Sequence, residues 1–306
     1  MTNLNHLYQL CENLGCSALY NEPLYKHTSF KIGGPSDLFI NVKDVSSLSQ
    51  ILKYISDNNI PFFIIGNGSN LLVSDAGFRG VVLHLSGDFL NISIENEKNC
   101  IIKCGAGVIL AKLCFFAMQN SFSGLEFAFG IPGSCGGAAF MNAGAYGYDM
   151  STVIESCEYI TPQGELGRLN AKDMKLGYRY SVFFNNKNII TSVTLKLKHG
   201  NKEDIKREMD DYMLRRKSKQ PLEYPSAGSV FKRPEGAFAG TLIQQCGLKG
   251  RKVGDAMVSE KHAGFIINTG RATCDDVLKL IKIIQEKVFS ETGFQLKCEV
   301  KTLGEV

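Results

Sequence analysis

Three segments combine glycine with small polar residues. Such residues can turn backbone N–H groups toward an anion, or pass close to a flat ring, with no Cβ in the way. The first is Gly66-Asn67-Gly68-Ser69-Asn70-Leu71-Leu72, directly after an apolar run at 61–65. The second is Gly105-Ala106-Gly107. The third runs Gly130-Ile131-Pro132-Gly133-Ser134-Cys135-Gly136-Gly137 and continues to Asn142-Ala143-Gly144-Ala145-Tyr146-Gly147. Asn and Ser add side-chain donors. Neither common nucleotide-binding mode fits. Leu110 stands where a Rossmann fingerprint needs its third glycine, and no Gly-Lys-Ser/Thr follows the glycines. Taken singly, a Gly-x-Gly after a strand is a tight turn. Three such segments lie in the first half of a chain whose 34 basic and 30 acidic residues leave a net charge of only +4. Together they point to one extended cofactor and away from nucleic acid.

The elements that must position these segments follow from hydrophobic period. Leu48, Ile51, Leu52 and Ile55 give one apolar face to a helix over 46–58. Strands are predicted at 61–65, 81–85, 101–104, 153–161 and 188–197, with a helix over 108–119. Residues 202–219 read as a solvated helix, acids early and bases late, in keeping with the helix dipole. Helices at 238–246 and 273–289 follow, the second opened by a capping box of Thr273 and Asp276. A last strand is predicted at 296–303. Strands and helices mix without strict βαβ alternation, which favours α+β over a doubly wound sheet. With 306 residues, 44% apolar and 21% charged, the chain is globular and long enough for two domains. Its ten cysteines form no C-x-x-C pair, and its five histidines are scattered. Buried reduced thiols and no bound metal are expected. No basic segment with an apolar core opens the chain, and no apolar run approaches the ~20 residues of a membrane span. A soluble, cytoplasmic protein is expected.

Taken in order and spacing, the motifs resemble those of the UDP-N-acetylenolpyruvoylglucosamine reductase family of flavoenzymes. The likeness runs from about Thr28 to Gly304. It includes Thr28-Ser29-Phe30-Lys31-Ile32-Gly33-Gly34, the first and third glycine segments, and Tyr178-Arg179-Tyr180-Ser181. It continues with Ser226-Ala227-Gly228-Ser229-Val230-Phe231-Lys232-Arg233-Pro234, Ala239-Gly240-Thr241-Leu242-Ile243, Ala263-Gly264-Phe265-Ile266-Ile267-Asn268 and Glu299-Val300. The resemblance implies an FAD-binding fold of the vanillyl-alcohol-oxidase (PCMH) type over 1–199, itself two α/β subdomains meeting near 85–95. A smaller α+β substrate-binding domain would occupy 200–306. Only Ser181 to Lys187 separates the Tyr-Arg motif from the next strand, so the chain resembles the short form of the family, without its Tyr-bearing insertion.

The same resemblance implies the chemistry. NADPH reduces non-covalently bound FAD, and UDP-N-acetylglucosamine enolpyruvate then takes a hydride at C3 and a proton at C2. Arg179 is expected to bind the substrate carboxylate, since a guanidinium binds it bidentately and stays charged. Ser229 is expected to donate the proton, and Glu299 to stabilise the intermediate or relay a proton. A carboxylate on a strand between apolar neighbours is poorly solvated. Gly66, Asn67, Gly68, Ser69, Asn70, Gly130, Ile131, Pro132, Gly133, Gly136, Gly137, Asn142 and Gly144 are the expected FAD contacts. Tyr178 is expected to line the pocket, and Lys219, Lys232 and Arg233 are candidates for the UDP phosphates. No nucleic acid and no membrane insertion are expected. Two other readings stay open on the residues: an oxidoreductase of the same fold with another substrate, and a non-catalytic nucleotide-binding protein. The first has no reason to carry Arg179, Ser229 and Glu299 together, and it loses weight because no His falls between His84 and His199 for a covalent flavin link.

Overall fold

The computed structural model describes residues 3–305. The chain divides into two compact units. One takes the residues up to Tyr20, then Leu38–Asn67 and Gly80–Arg215, and the other takes Asn21–Asp37, Gly68–Arg79 and the described residues from Arg216 on. This differs from the expected contiguous split into 1–199 and 200–306. The reason is apolar burial. Ile205 and Met209, early in the helix Lys202–Lys219, are buried in the core of the first unit. Phe30, Ile32 and Leu72, distant in sequence, are buried in the core of the second with Val230, Ile266 and Val277.

The first unit is built on two sheets. One is four-stranded, in the order Ser17–Pro23, Pro35–Val42, Phe78–Leu85, Phe62–Ile65, and its last pair is parallel. The helix Val45–Asp57 buries Leu48, Ile51, Leu52 and Ile55, the face its period marks. The other sheet is antiparallel, in the order Leu166–Asn170, Ile154–Ile160, Ile189–Lys196, Ile101–Gly105, Ile92–Asn96. Its strands carry alternating or continuous apolar residues, and Val193 and Leu195 at its centre are fully buried. Thr191 accepts the amide of Ala106 at 3.0 Å, which ties the second glycine segment to this sheet.

The second unit has an antiparallel sheet in the order Ser226–Ser229, Phe265–Asn268, Ala256–Val258, Lys252–Val253. The helix Cys274–Thr292 buries Val277, Leu280, Ile281, Ile284 and Val288, and the Thr273/Asp276 capping box is formed in full. The expected last strand contracts to Lys301–Leu303, paired in parallel with Leu71–Val73. Glu299 lies just before it rather than within it. Nine cysteines are buried, and burial pushes the Cys11, Cys157 and Cys274 thiols up to about 12. Cys298 is exposed, against the expectation of burial throughout. Among the described residues no helix is long and apolar enough to cross a membrane.

Asp44 starts the helix Val45–Asp57 by accepting the Ser47 amide at 2.7 Å, and that bond holds its carboxyl below the usual range. Asp44→Ala should cost about 1 kcal/mol at pH 7. A carboxyl with a depressed folded pKa stabilises above its unfolded value, roughly 4, and loses that contribution as pH falls through the folded one. The gap between wild type and variant should therefore narrow at about pH 3. Urea midpoints at the two pH values check this.

Candidate active site

In the first unit, Arg179 occupies a four-residue turn. Gly177 and Tyr180 exchange backbone hydrogen bonds at 3.0 and 3.2 Å, leaving Tyr178 and Arg179 at the tip. Arg179 has φ +53°, a left-handed conformation normally given to Gly or Asn. Holding an L-residue there costs about 1 kcal/mol. The guanidinium donates to the Gly144 carbonyl at 3.2 Å and lies 5.2 Å from the centre of the Tyr178 ring. Tyr178 is itself 54% exposed. Two residues of an earlier segment also have positive φ, Asn142 with φ +43° and Tyr146 with φ +58°. Tyr146 stacks on Tyr212 with centroids 4.2 Å apart and donates to the Tyr212 carbonyl, which fastens the hairpin Gly144–Ala145/Tyr148–Asp149.

The second and third glycine segments interlock. Gly136 donates to Ala106, Cys135 to Val108, and Leu110 to Gly133, at 2.7–2.9 Å. A Cβ on Gly136 would meet the Ala106 methyl at 2.7 Å, and one on Gly66 would meet Ser134 Oγ at 2.5 Å. Gly136 is therefore required by close packing on Ala106, whereas Gly66 faces only the Ser134 side chain. The Gly133, Cys135, Gly136 and Ala138 amides go to backbone carbonyls and the Gly137 amide to Ser134 Oγ. Gly130 and Ile131 are half-buried and Pro132 is exposed. Asn142, expected at the cofactor, instead spends both side-chain polar atoms on the protein, donating to Gly177 and accepting from Ser151. Among the described residues, the Gly130 and Ser134 amides of this segment have no hydrogen-bond partner in the protein, and further unspent donors lie in the first segment. Among the described residues, neither the amide nor the side chain of half-buried Asn67 has a hydrogen-bond partner in the protein. In the second unit, the Gly68 amide and the amide and hydroxyl of Ser69 are likewise unspent. A Gly68 Cβ would run into the His27 carbonyl, so its φ of +56° and its close packing both demand glycine. Unspent donors on a tight glycine turn suit an anionic or richly polar ligand.

The second unit brings Ser229 and Glu299 together. Ser229 ends a strand carrying a register shift between Ser226 and Ser229, where Gly228 takes φ +75° with open space around its missing Cβ. Such bulges re-aim side chains beside active sites. The next residue, Val230, accepts the Glu299 amide at 2.7 Å, and Phe231 bridges Cys298. Asn70 donates its side-chain amide to the Glu299 carbonyl at 3.2 Å and accepts the Lys301 amide on its own carbonyl. It therefore serves the carboxylate's backbone. Ser229 and Glu299 are both half-buried. Burial first, then the charge of Lys232, hold the Lys301 ammonium below its usual range, and Glu299 acts against both. Lys301 thus lies within electrostatic reach of both Lys232 and Glu299. Lys301 escaped the sequence reading, and its only sign there was the i, i+2 spacing from Glu299. Arg233 is exposed and packs over the Phe238 ring at 4.3 Å, and Lys219 is exposed at the end of its helix.

Comparison with known proteins accords with this geometry. Residues 36–170 match the family profile described as "FAD binding domain". Residues 220–303 match that of the "UDP-N-acetylenolpyruvoylglucosamine reductase, C-terminal domain". The enzyme of that name from Syntrophomonas wolfei is 49% identical over 93% of this chain and 94% of its own. That from Clostridium tetani is 45% identical over 99% of both. The crystal structure of UDP-N-acetylenolpyruvylglucosamine reductase from Thermus caldophilus aligns with a TM-score of 0.81 at 35% identity, over 94% of this chain and 98% of that one. The flavin-binding α+β fold expected from the motifs is the fold observed. A chain with an FAD-binding domain and with Ser229 and Glu299 joined in its second unit, matched end to end at this identity, belongs to the UDP-N-acetylenolpyruvoylglucosamine reductase family.

Proposed function

We propose that this FAD-dependent reductase of UDP-N-acetylglucosamine enolpyruvate draws its electrons from NADPH and protonates its product from Ser229. The observation that supports the reading is the Val230–Glu299 backbone bond, which brings the Glu299 segment beside the strand that ends at the bulged Ser229 in a member of this family. Asn67, Gly68 and Ser69 would hold FAD, without a covalent bond. When bound, FAD supplies the hydride that the C3 carbon of the enolpyruvyl group takes up. The electron pair of the double bond then moves to C2 and its carboxylate.

The protein's own groups answer that charge. The Arg179 guanidinium, held rigidly at a turn tip, would grip the carboxylate with two parallel bonds and stay ionised throughout. A positioned donor against developing charge is worth roughly 3–4 kcal/mol. The Ser229 hydroxyl would give its proton to C2. A serine is a weak acid, so it needs polarising neighbours, and Glu299, Lys232 and Lys301, on the segments that meet beside Val230, would supply them. The substrate yields UDP-N-acetylmuramate, a peptidoglycan precursor. Lys219, Lys232 and Arg233 remain the proposed contacts of the UDP phosphates, and Tyr178 of the pocket wall.

Acid precipitation of the yellow protein should release all its flavin, whereas flavin left in the pellet would show a covalent link. Arg179→Lys keeps the charge and loses the fork, so reoxidation by the enolpyruvyl substrate should slow far more than reduction by NADPH. Equal losses in both half-reactions would point to damaged flavin binding instead. Ser229→Ala should leave bleaching by NADPH intact and slow substrate-driven reoxidation by about 10²–10⁴-fold, the usual range for a positioned acid. Stopped-flow flavin absorbance, taken anaerobically for each half-reaction, reads both. Reoxidation of the alanine variant at the wild-type rate would remove Ser229 from the role and move it to Glu299.

A further inference from the structure

Asn142 lies 37 residues before Arg179 in the chain, yet it is built into the turn that aims the guanidinium. Its Nδ2 donates to the Gly177 carbonyl at 2.9 Å, and its Oδ1 accepts the Ser151 amide at 2.9 Å. The residue is 1% exposed and caps the helix Cys135–Met141 in a left-handed conformation with φ +43°. Gly177 is the first residue of the Arg179 turn. A second fastening closes the other side, where the buried Ser181 hydroxyl donates to the Phe140 carbonyl at 2.6 Å. A third comes from the same segment, since the Gly144 carbonyl receives the Arg179 guanidinium. The strained tip is thus clamped from residues 140, 142 and 144.

We propose that Asn142 is a positioning residue for Arg179, setting the direction of the carboxylate-binding guanidinium rather than contacting FAD. The proposal rests on the reading of Arg179 given above. Arg179 sits in a conformation that an unsupported turn would relax, and relaxation would swing the guanidinium away. Misplacement of a binding group by about 1 Å can cost about 10²-fold in rate. An amide is required at position 142 because one group must donate to a carbonyl while the other accepts from an N–H. Aspartate would keep the second bond and the tolerance for positive φ, and lose the first.

The test uses the holoenzyme with Asn142→Asp, and with Asn142→Gly as a second variant that needs no side chain to hold positive φ. Substrate-driven reoxidation should slow about 10–100-fold, while NADPH-driven reduction and the FAD dissociation constant stay within about twofold. In the Arg179→Lys background the Asn142 substitution should add little, because both act on one group. Losses that multiply, or Asn142 variants that reoxidise at full speed beside a slow Arg179→Lys, would overturn the positioning role. Weakened FAD binding with equal loss in both half-reactions would overturn it in favour of a cofactor contact. An Arg179→Lys enzyme reoxidising at the wild-type rate would instead remove the reading of Arg179 on which the proposal stands.

Discussion

The bond from the Glu299 amide to the Val230 carbonyl is the constraint around which the second unit is arranged. It joins segments 69 residues apart in sequence and brings the backbone of Glu299 beside the residue that follows Ser229. Everything adjacent reinforces it. The Lys232 amide donates to Lys297, Phe231 bridges Cys298, and Asn70 takes hold of Glu299 and Lys301 from the other side. Below them Val230 and Val300 are buried with Leu280 and Ile284 of the long helix. A backbone bond whose acceptor is buried is costly to lose, because the stranded Val230 carbonyl would be left without a partner. Side-chain chemistry placed on such a bond inherits its rigidity.

The first unit reaches rigidity by another route. Arg179, the proposed carboxylate-binding cation, sits on a turn in an unfavourable conformation, and three contacts from one short segment keep it there. The cost of the left-handed arginine is borne by burial of Asn142 and Ser181, whose polar atoms are satisfied within the protein. Strained residues persist only where the surroundings over-determine them. The grouping of Asn142, Tyr146 and Arg179, all with positive φ, marks such surroundings.

Glycine has two meanings in this chain, and they are easily confused. Gly136 permits one part of the backbone to lie on another, and the amides at 133 and 135–138 are consumed within the protein. Gly68 stands in a turn where its own amide and Ser69's donors remain unspent. Composition alone cannot separate a glycine that packs from one that makes room for a ligand, because both need the missing Cβ.

Much of this protein was determined by its local sequence. The apolar face of Val45–Asp57, the capping box at Thr273, the mixed α+β character and the motif order that marks the family all depend on residues within a few positions of each other. Periodicity and capping act over one to four residues, so they survive without knowledge of the fold. The division into units was decided only by tertiary structure, because Phe30, Ile32 and Leu72 chose their core by burial across long stretches of chain. The release of Glu299 from a regular strand, the electrostatic link of Lys301 to Glu299, and the hydrogen bonds that Asn142 and Asn70 make within the protein also arose there. Each of these depends on a hydrogen bond or charge contact between distant segments. Such partners are set by where the backbone passes in space, and no spacing within a motif encodes that.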